Sequence, residues 1–141
     1  MRVALAGLVA LSALVALPAA SAKDFQPGDV RICNSRHCRA VVNRGALAGL
    51  ASLYYGDRLP ARARRPRLGQ PYFELRYRNG YVSGIVAGGR LDRFLSYGVV
   101  LGRFTPYRWY RVPDRASREF RRLTVGLRPL RLDRAAIAKS H

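Results

Sequence analysis

Tyr72-Phe-Glu-Leu-Arg-Tyr-Arg-Asn-Gly-Tyr-Val-Ser-Gly-Ile-Val-Ala87 is the stretch that decides the fold. Asn79-Gly80 is the favoured pair for a two-residue type I′ hairpin turn. That turn predicts pairing of Arg78 with Tyr81, Tyr77 with Val82, Leu75 with Gly84 and Phe73 with Val86. One face then carries Phe73, Leu75, Tyr77, Val82 and Val86. The other carries Glu74, Arg76, Arg78, Tyr81, Ser83 and Ile85. Turn chemistry and two-residue periodicity agree, so the stretch reads as a half-buried antiparallel hairpin.

Working toward the C-terminus, Gly88-Gly89 ends the hairpin. Leu91 to Leu95 reads as a short helix or an irregular crossing. Tyr97 to Phe104 and Tyr107 to Val112 read as strands, parted near Thr105-Pro106. Pro113-Asp114 opens a helix with Asp114 as its N-cap. Ala116, Phe120 and Leu123 form its apolar stripe, and Arg115, Arg118, Arg121 and Arg122 lie on the opposite side. Gly126 ends this helix. Leu127 to Leu132 is a further strand candidate, and 134–141 reads as a frayed tail.

Working toward the N-terminus, 57–71 is a loop rich in arginine and proline, with Pro60, Pro66 and Pro71 breaking regular structure. Asn43 caps a helix that runs to Tyr55, with Gly56 as its C-cap and Leu47, Leu50, Ala51, Leu53 and Tyr54 on one side. Its interior glycines weaken it by about 1 kcal/mol each, so packing must hold it. Asp29 to Cys33 alternates as a strand, Cys38 to Val42 is its return, and Asn34-Ser35-Arg36-His37 supplies the turn. The expected fold is α+β: an antiparallel sheet of about four to six strands with two helices packed on it, in a single small domain.

Residues 1–22 read as a secretory signal peptide. Arg2 gives a positive start, Val3 to Leu17 an apolar run, and Ala20-Ser21-Ala22 a small-residue cleavage pattern. The apolar run is 15 residues, about 22 Å as a helix, which is short for a hydrocarbon core of about 30 Å. Residues 23–141 then form one domain, too short for two separate cores. The whole chain holds 26 Lys+Arg against 8 Asp+Glu, a formal charge of +18. Two cysteines are too few for a fold held mainly by disulfides. Val, Ile, Leu and Phe make up 30 of the 119 residues after the signal, above the ~20% that marks disordered chains.

Cys33 and Cys38 flank a turn in an exported chain, so a disulfide is the expected state. Their spacing does not match thioredoxin-like redox motifs, and the only metal set on offer, Cys33, His37 and Cys38 with the distant His141, is a poor one. No cofactor is implied. His37 reads as a polar turn residue. Among the carboxylates only Glu74 and Asp92 merit thought as a hydrolytic pair, and both sit among arginines that suit them to ion pairing. Gly84 to Gly89 lacks the spacing of a phosphate loop and reads as a place of close packing.

Arginine outnumbers lysine 23 to 2 after the signal. Guanidinium groups bind phosphate and carboxylate in bidentate fashion. The candidate polyanion-binding residues fall in three places. The loop supplies Arg62, Arg64, Arg65 and Arg67. Strands in which arginine alternates with rings supply Arg76, Arg78, Arg108, Trp109, Tyr110 and Arg111, a pattern that could stack sugars or bases and clamp phosphates. The second helix supplies Arg115, Arg118 and Arg122. Charge alone is equally consistent with contact to polyanions and with a solvated surface.

The stretch Tyr72 to Val112, with Gly28-Asp-Val-Arg-Ile-Cys33 ahead of it, resembles small exported proteins of actinobacteria, on the strength of the signal, the early pair Cys33 and Cys38, and the run Tyr72-Phe-Glu-Leu-Arg76. That resemblance implies a high-GC source and no particular activity. The expected function is non-catalytic binding of anionic envelope or extracellular material: an anionic polymer, lipid headgroups, an acidic protein, or nucleic acid without sequence preference. The alternatives are a small secreted hydrolase of a polyanion and a sensory or inhibitory module that binds a protein.

Overall fold

A computed structural model of the chain describes residues 25–55, 58, 60–78, 82–96, 99–100, 103–104 and 107–138. The expected signal peptide, the Asn79-Gly80 turn and Gly56 lie outside the described residues. Among the described residues, nine strands and three helices follow one another as β1 (Val30–Cys33), β2 (Cys38–Ala40), α1 (Arg44–Tyr55), β3 (Pro71–Tyr77), β4 (Val82–Ala87), β5 (Arg93–Ser96), β6 (Val99–Val100), β7 (Arg103–Phe104), β8 (Trp109–Arg111), α2 (Asp114–Thr124), β9 (Leu130–Arg131) and α3 (Arg134–Ala138).

The β3–β4 hairpin sits at the centre, as its alternation requires. Phe73 pairs with Val86 and Leu75 with Gly84, in the expected register. Nearer the turn the register shifts between Leu75 and Arg76, so Arg76 rather than Tyr77 faces Val82. A bulge of this kind adds a residue to one strand and increases its local twist. The sheet order is β2-β1-β3-β4-β5-β8, fully antiparallel, with β9 pairing the start of β3 beyond β1. Seven strands therefore share one sheet, and β6 and β7 form a separate short hairpin.

The main core lies on one face of this sheet. Ile32, Leu75, Val86 and Phe94 from the strands meet Leu47 and Leu50 of α1 and Phe120 of α2. Asn43 caps α1 as its sequence suggests, its Oδ1 accepting from the Ala46 N–H at 2.9 Å. Gly49 lets the helices approach: a Cβ there would lie 3.3 Å from Pro113 Cβ. Asp114 does not cap α2. Pro113 occupies that position, with φ −56° and ψ 141°, and its carbonyl accepts from the Ser117 N–H. The ring of Pro113 fixes φ near the required value, so Asp114 becomes the first helical residue, where its negative charge suits the helix dipole. Val125 and Gly126 (φ +76°) form a type II turn after α2, closed by the Leu127 N–H to the Thr124 carbonyl. Arg39 reaches from β2 to donate to the Leu123 and Val125 carbonyls at 2.6 and 2.9 Å, which satisfies the helix end.

The opposite face of the sheet is also covered. Ile85, Leu95, Trp109 and Leu132 form a second core, against which Ala63, Ala136 and Ile137 pack. Ile85 is thus buried, and the hairpin is apolar on both sides where the later strands flank it. Leu91 to Leu95 is neither a helix nor an irregular crossing: it feeds β5. The expected frayed tail is ordered through 138, because Asp133 Oδ1 accepts from the Ala136 N–H and α3 sets Ile137 on the second core. Residues 61–63 of the arginine-rich loop run along the edge of β8. The Ala63 N–H donates to the Trp109 carbonyl and the Arg111 N–H to the Ala61 carbonyl. Pairing of this kind protects an edge that would otherwise present free backbone groups.

Candidate functional site

The arginine-aromatic strand does not form a stacking platform. Trp109 is 8% exposed and Tyr110 4%, the first in the second core and the second in the main core. Successive residues of a strand point to opposite faces, so with both faces covered neither ring reaches solvent. Arg108 beside them is half-buried. Arg76 is ion-paired to Glu74, two positions away on the same face. Arg78 is exposed at the end of β3, and exposed Arg62 bridges to Tyr110 through its backbone. None of these gathers into a site with the others.

The remaining candidates do converge. A cleft of about 470 Å³ separates the 64–67 segment from the turn that joins β4 to β5. Arg64, Arg65 and Arg67 line one side, Arg90 and Arg93 the other, and Asp92 is its one carboxylate. A second cleft, about 310 Å³, shares Arg90 and Asp92 with the first and extends to Arg111, Arg118 and Arg121. A third, about 620 Å³, shares Arg111 and Asp114 with the second and ends at Arg58. Each cleft thus shares lining residues with the next. Nine arginines and two aspartates, Asp92 and Asp114, line this band. A smaller hollow, about 390 Å³, adjoins it through Arg118 and holds Arg115 and Arg122 with Glu119.

The walls of the first cleft are fastened together. Arg93 Nη1 donates to the Arg64 carbonyl at 2.7 Å, and Arg93 Nε lies 3.5 Å from Asp92 Oδ1. Gly69 donates to the Leu132 carbonyl at 2.7 Å, and Gly88 to the Pro71 carbonyl at 3.1 Å. Gly88 has φ +96°, which glycine adopts readily. Leu91 has φ +50°, a conformation a branched side chain seldom takes, held here by burial of its side chain in the main core.

Glu119 is 6% exposed and is gripped by Arg122 through two hydrogen bonds, of 2.9 and 2.8 Å. Those bonds hold its carboxyl below the usual glutamate range despite burial, and they raise the Arg122 guanidinium in turn. Burial, helped by Glu74 and Asp133, raises the Tyr72 phenol. Glu74 and Asp92, the two carboxylates weighed for hydrolysis, are each ion-paired to an adjacent arginine. Cys33 and Cys38 form the expected disulfide, with Cα atoms 4.1 Å apart across β1 and β2. Asn34 closes the turn between them, its Oδ1 accepting from the N–H groups of Arg36 and His37. Among the described residues no group of three His, Cys, Asp or Glu side chains could hold a metal ion.

The candidate residues read from the sequence include Arg64, Arg65, Arg67, Arg111 and Arg118 of this band and omit Arg58, Arg90, Arg93 and Arg121. Arg90 directly follows Gly88-Gly89 and Arg93 opens β5 three residues later, so no spacing ties either to the 64–67 segment. Comparison with protein families, curated proteins and solved structures gives no match for this chain.

Proposed function

We propose that this chain is a binding domain that holds an anionic polymer of the cell envelope or extracellular space along the arginine band, without acting on it chemically. The observation that carries this reading is that three clefts, each sharing lining residues with the next, hold nine arginines and two aspartates among the described residues. Arginines spread singly over a solvated surface would not share grooves. The signal-like segment at 1–22 and the Cys33–Cys38 disulfide support export through a cleaved leader. No helix among the described residues is long and apolar enough to cross a membrane, so after cleavage the domain would meet the envelope from its surface.

Titration of the protein, expressed as the full chain in an exporting host, with soluble polyanions across a salt series tests this. Five phosphate contacts give a log–log salt slope near −3.5, about a hundredfold loss between ~50 and ~200 mM salt. Absence of binding at the lowest salt overturns the reading.

A further inference from the structure

We infer that the cleft between the 64–67 segment and the Gly88–Asp92 turn is a seat for phosphate groups of a polymer that carries no stacking bases. This deepens the polyanion reading and rests on it. Among the described residues, the guanidinium groups of Arg64, Arg65, Arg67 and Arg90 make no hydrogen bond or ion pair within the protein. Arg93 is the exception, spent on the Arg64 carbonyl and Asp92. It ties the two walls together and leaves the other four for a ligand.

The geometry favours phosphate over carboxylate. A carboxylate is planar and offers two oxygens along one edge. The two non-bridging oxygens of a linking phosphate stand out from the chain in a tetrahedral arrangement, open to guanidinium forks from more than one direction. The cleft, about 470 Å³, lies within the usual ~300–1,000 Å³ of small-ligand sites and accommodates more than one anionic unit. Gly89 leaves the rim bare, since a Cβ there would meet nothing within 4 Å. A polymer backbone can therefore pass across the turn and on toward Arg118 and Arg121.

The absence of rings sets the second half of the inference. Among the described residues, no aromatic side chain lines the three clefts. Single-stranded nucleic acid is held largely by stacking on such rings, at about 1–3 kcal/mol per base. Here Trp109 and Tyr110 are buried, and phosphate contacts alone remain. The matching ligand is a series of phosphodiester or phosphoanhydride groups without bases, linked in a free chain or displayed side by side as lipid headgroups.

Binding of four probes at about 150 mM salt tests this: inorganic polyphosphate, polyglutamate, oligothymidylate, and vesicles of phosphatidylglycerol in phosphatidylcholine. The expected result is polyphosphate binding about tenfold tighter than polyglutamate or oligothymidylate per charge. R64S/R65S/R67S/R90S should abolish that preference and lower the salt slope by about 3, whereas R36S/R44S/R128S/R134S, which removes four exposed arginines that line none of the four clefts described, should lower affinity less than about threefold. If the first quartet does not fold, Arg90→Ser alone should still cost about threefold or more. Vesicle binding that depends on the same quartet supports the seat and identifies headgroups as the source. Equal loss from both quartets, or equal affinity for polyphosphate and polyglutamate, overturns the seat and leaves the polyanion reading in place. Tighter binding of oligothymidylate overturns it in favour of nucleic acid. No binding of any probe overturns both.

Discussion

Gly84→Ala is the substitution to which this fold should be most sensitive for its size. A Cβ on Gly84 would lie 2.2 Å from Phe94 Cε2, 2.7 Å from Phe94 Cζ and 2.7 Å from the Leu95 carbonyl oxygen. The Phe94 ring is 1% exposed and the third contact is backbone, so neither can swing aside. Overpacking of a tight core costs about 1–3 kcal/mol and sometimes more, and contacts this short belong at the upper end. Glycine to alanine in a strand returns about 0.5–1 kcal/mol through backbone entropy. The net expectation is a loss of about 2–3 kcal/mol, which lowers the melting temperature by roughly 10 °C in a domain of this size. The loss should reach the cleft as well, because β4 and β5 carry between them the turn that holds Arg90. Thermal unfolding followed by circular dichroism measures the effect, and Phe94→Leu in the Gly84→Ala background should recover part of it. A Gly84→Ala protein that melts within about 1 °C of the parent would refute the close packing of Phe94 over Gly84.

Replacing Cys33 and Cys38 with serine should cost about 2 kcal/mol on the chain-entropy treatment of so short a loop, read from denaturant midpoints. The Glu119 carboxyl is depressed in the folded state, so its contribution is present above the unfolded glutamate value near ~4.3 and is lost as pH falls below it. Glu119→Gln should flatten that part of the acid limb of a stability–pH curve, and an unchanged limb contradicts the role given to Arg122. Asp92→Asn removes the one carboxylate shared by the first two clefts, so polyphosphate affinity should rise about two- to fivefold at low salt, provided Arg93 keeps its bond to the Arg64 carbonyl. A fall in affinity would mean that Asp92 matters chiefly as a positioner of Arg93.

What the sequence makes legible follows from how local each signal is. Phe73, Leu75 and Val86 alternate, and their register holds where they sit away from the turn. The bulge beside Arg76 depends on how the strands twist near the tip, which alternation does not encode. Asn43 satisfies a backbone donor three residues on, a contact readable from spacing. Asp114 carries the same chemistry, but the ring of Pro113 sets the helix start one residue earlier. The second core had a visible sign, since Ile85 and Ala87 on the outward face, and adjacent Trp109 and Tyr110, fit strands covered on both sides. Arg108 and Arg111 flank these rings, but a charged neighbour along a strand does not show that the faces are open. Arg64, Arg65 and Arg67 are conspicuous in the chain. Their union with Arg90 and Arg93 comes from the edge pairing of the loop with β8 and from the Arg93 bond to the Arg64 carbonyl, both long-range contacts that no local pattern contains.

The central claim is that the arginine band, and not the overall positive field, binds polyanions. Polyphosphate affinity of R111S/R118S/R121S set against R36S/R44S/R128S measures it most directly, since each removes three exposed arginines and only the first set lines the clefts. A band predicts a loss of about tenfold and a salt slope smaller by about 2 for the first set, with less than about a twofold change for the second. Equal losses and equal slopes in the two would contradict it.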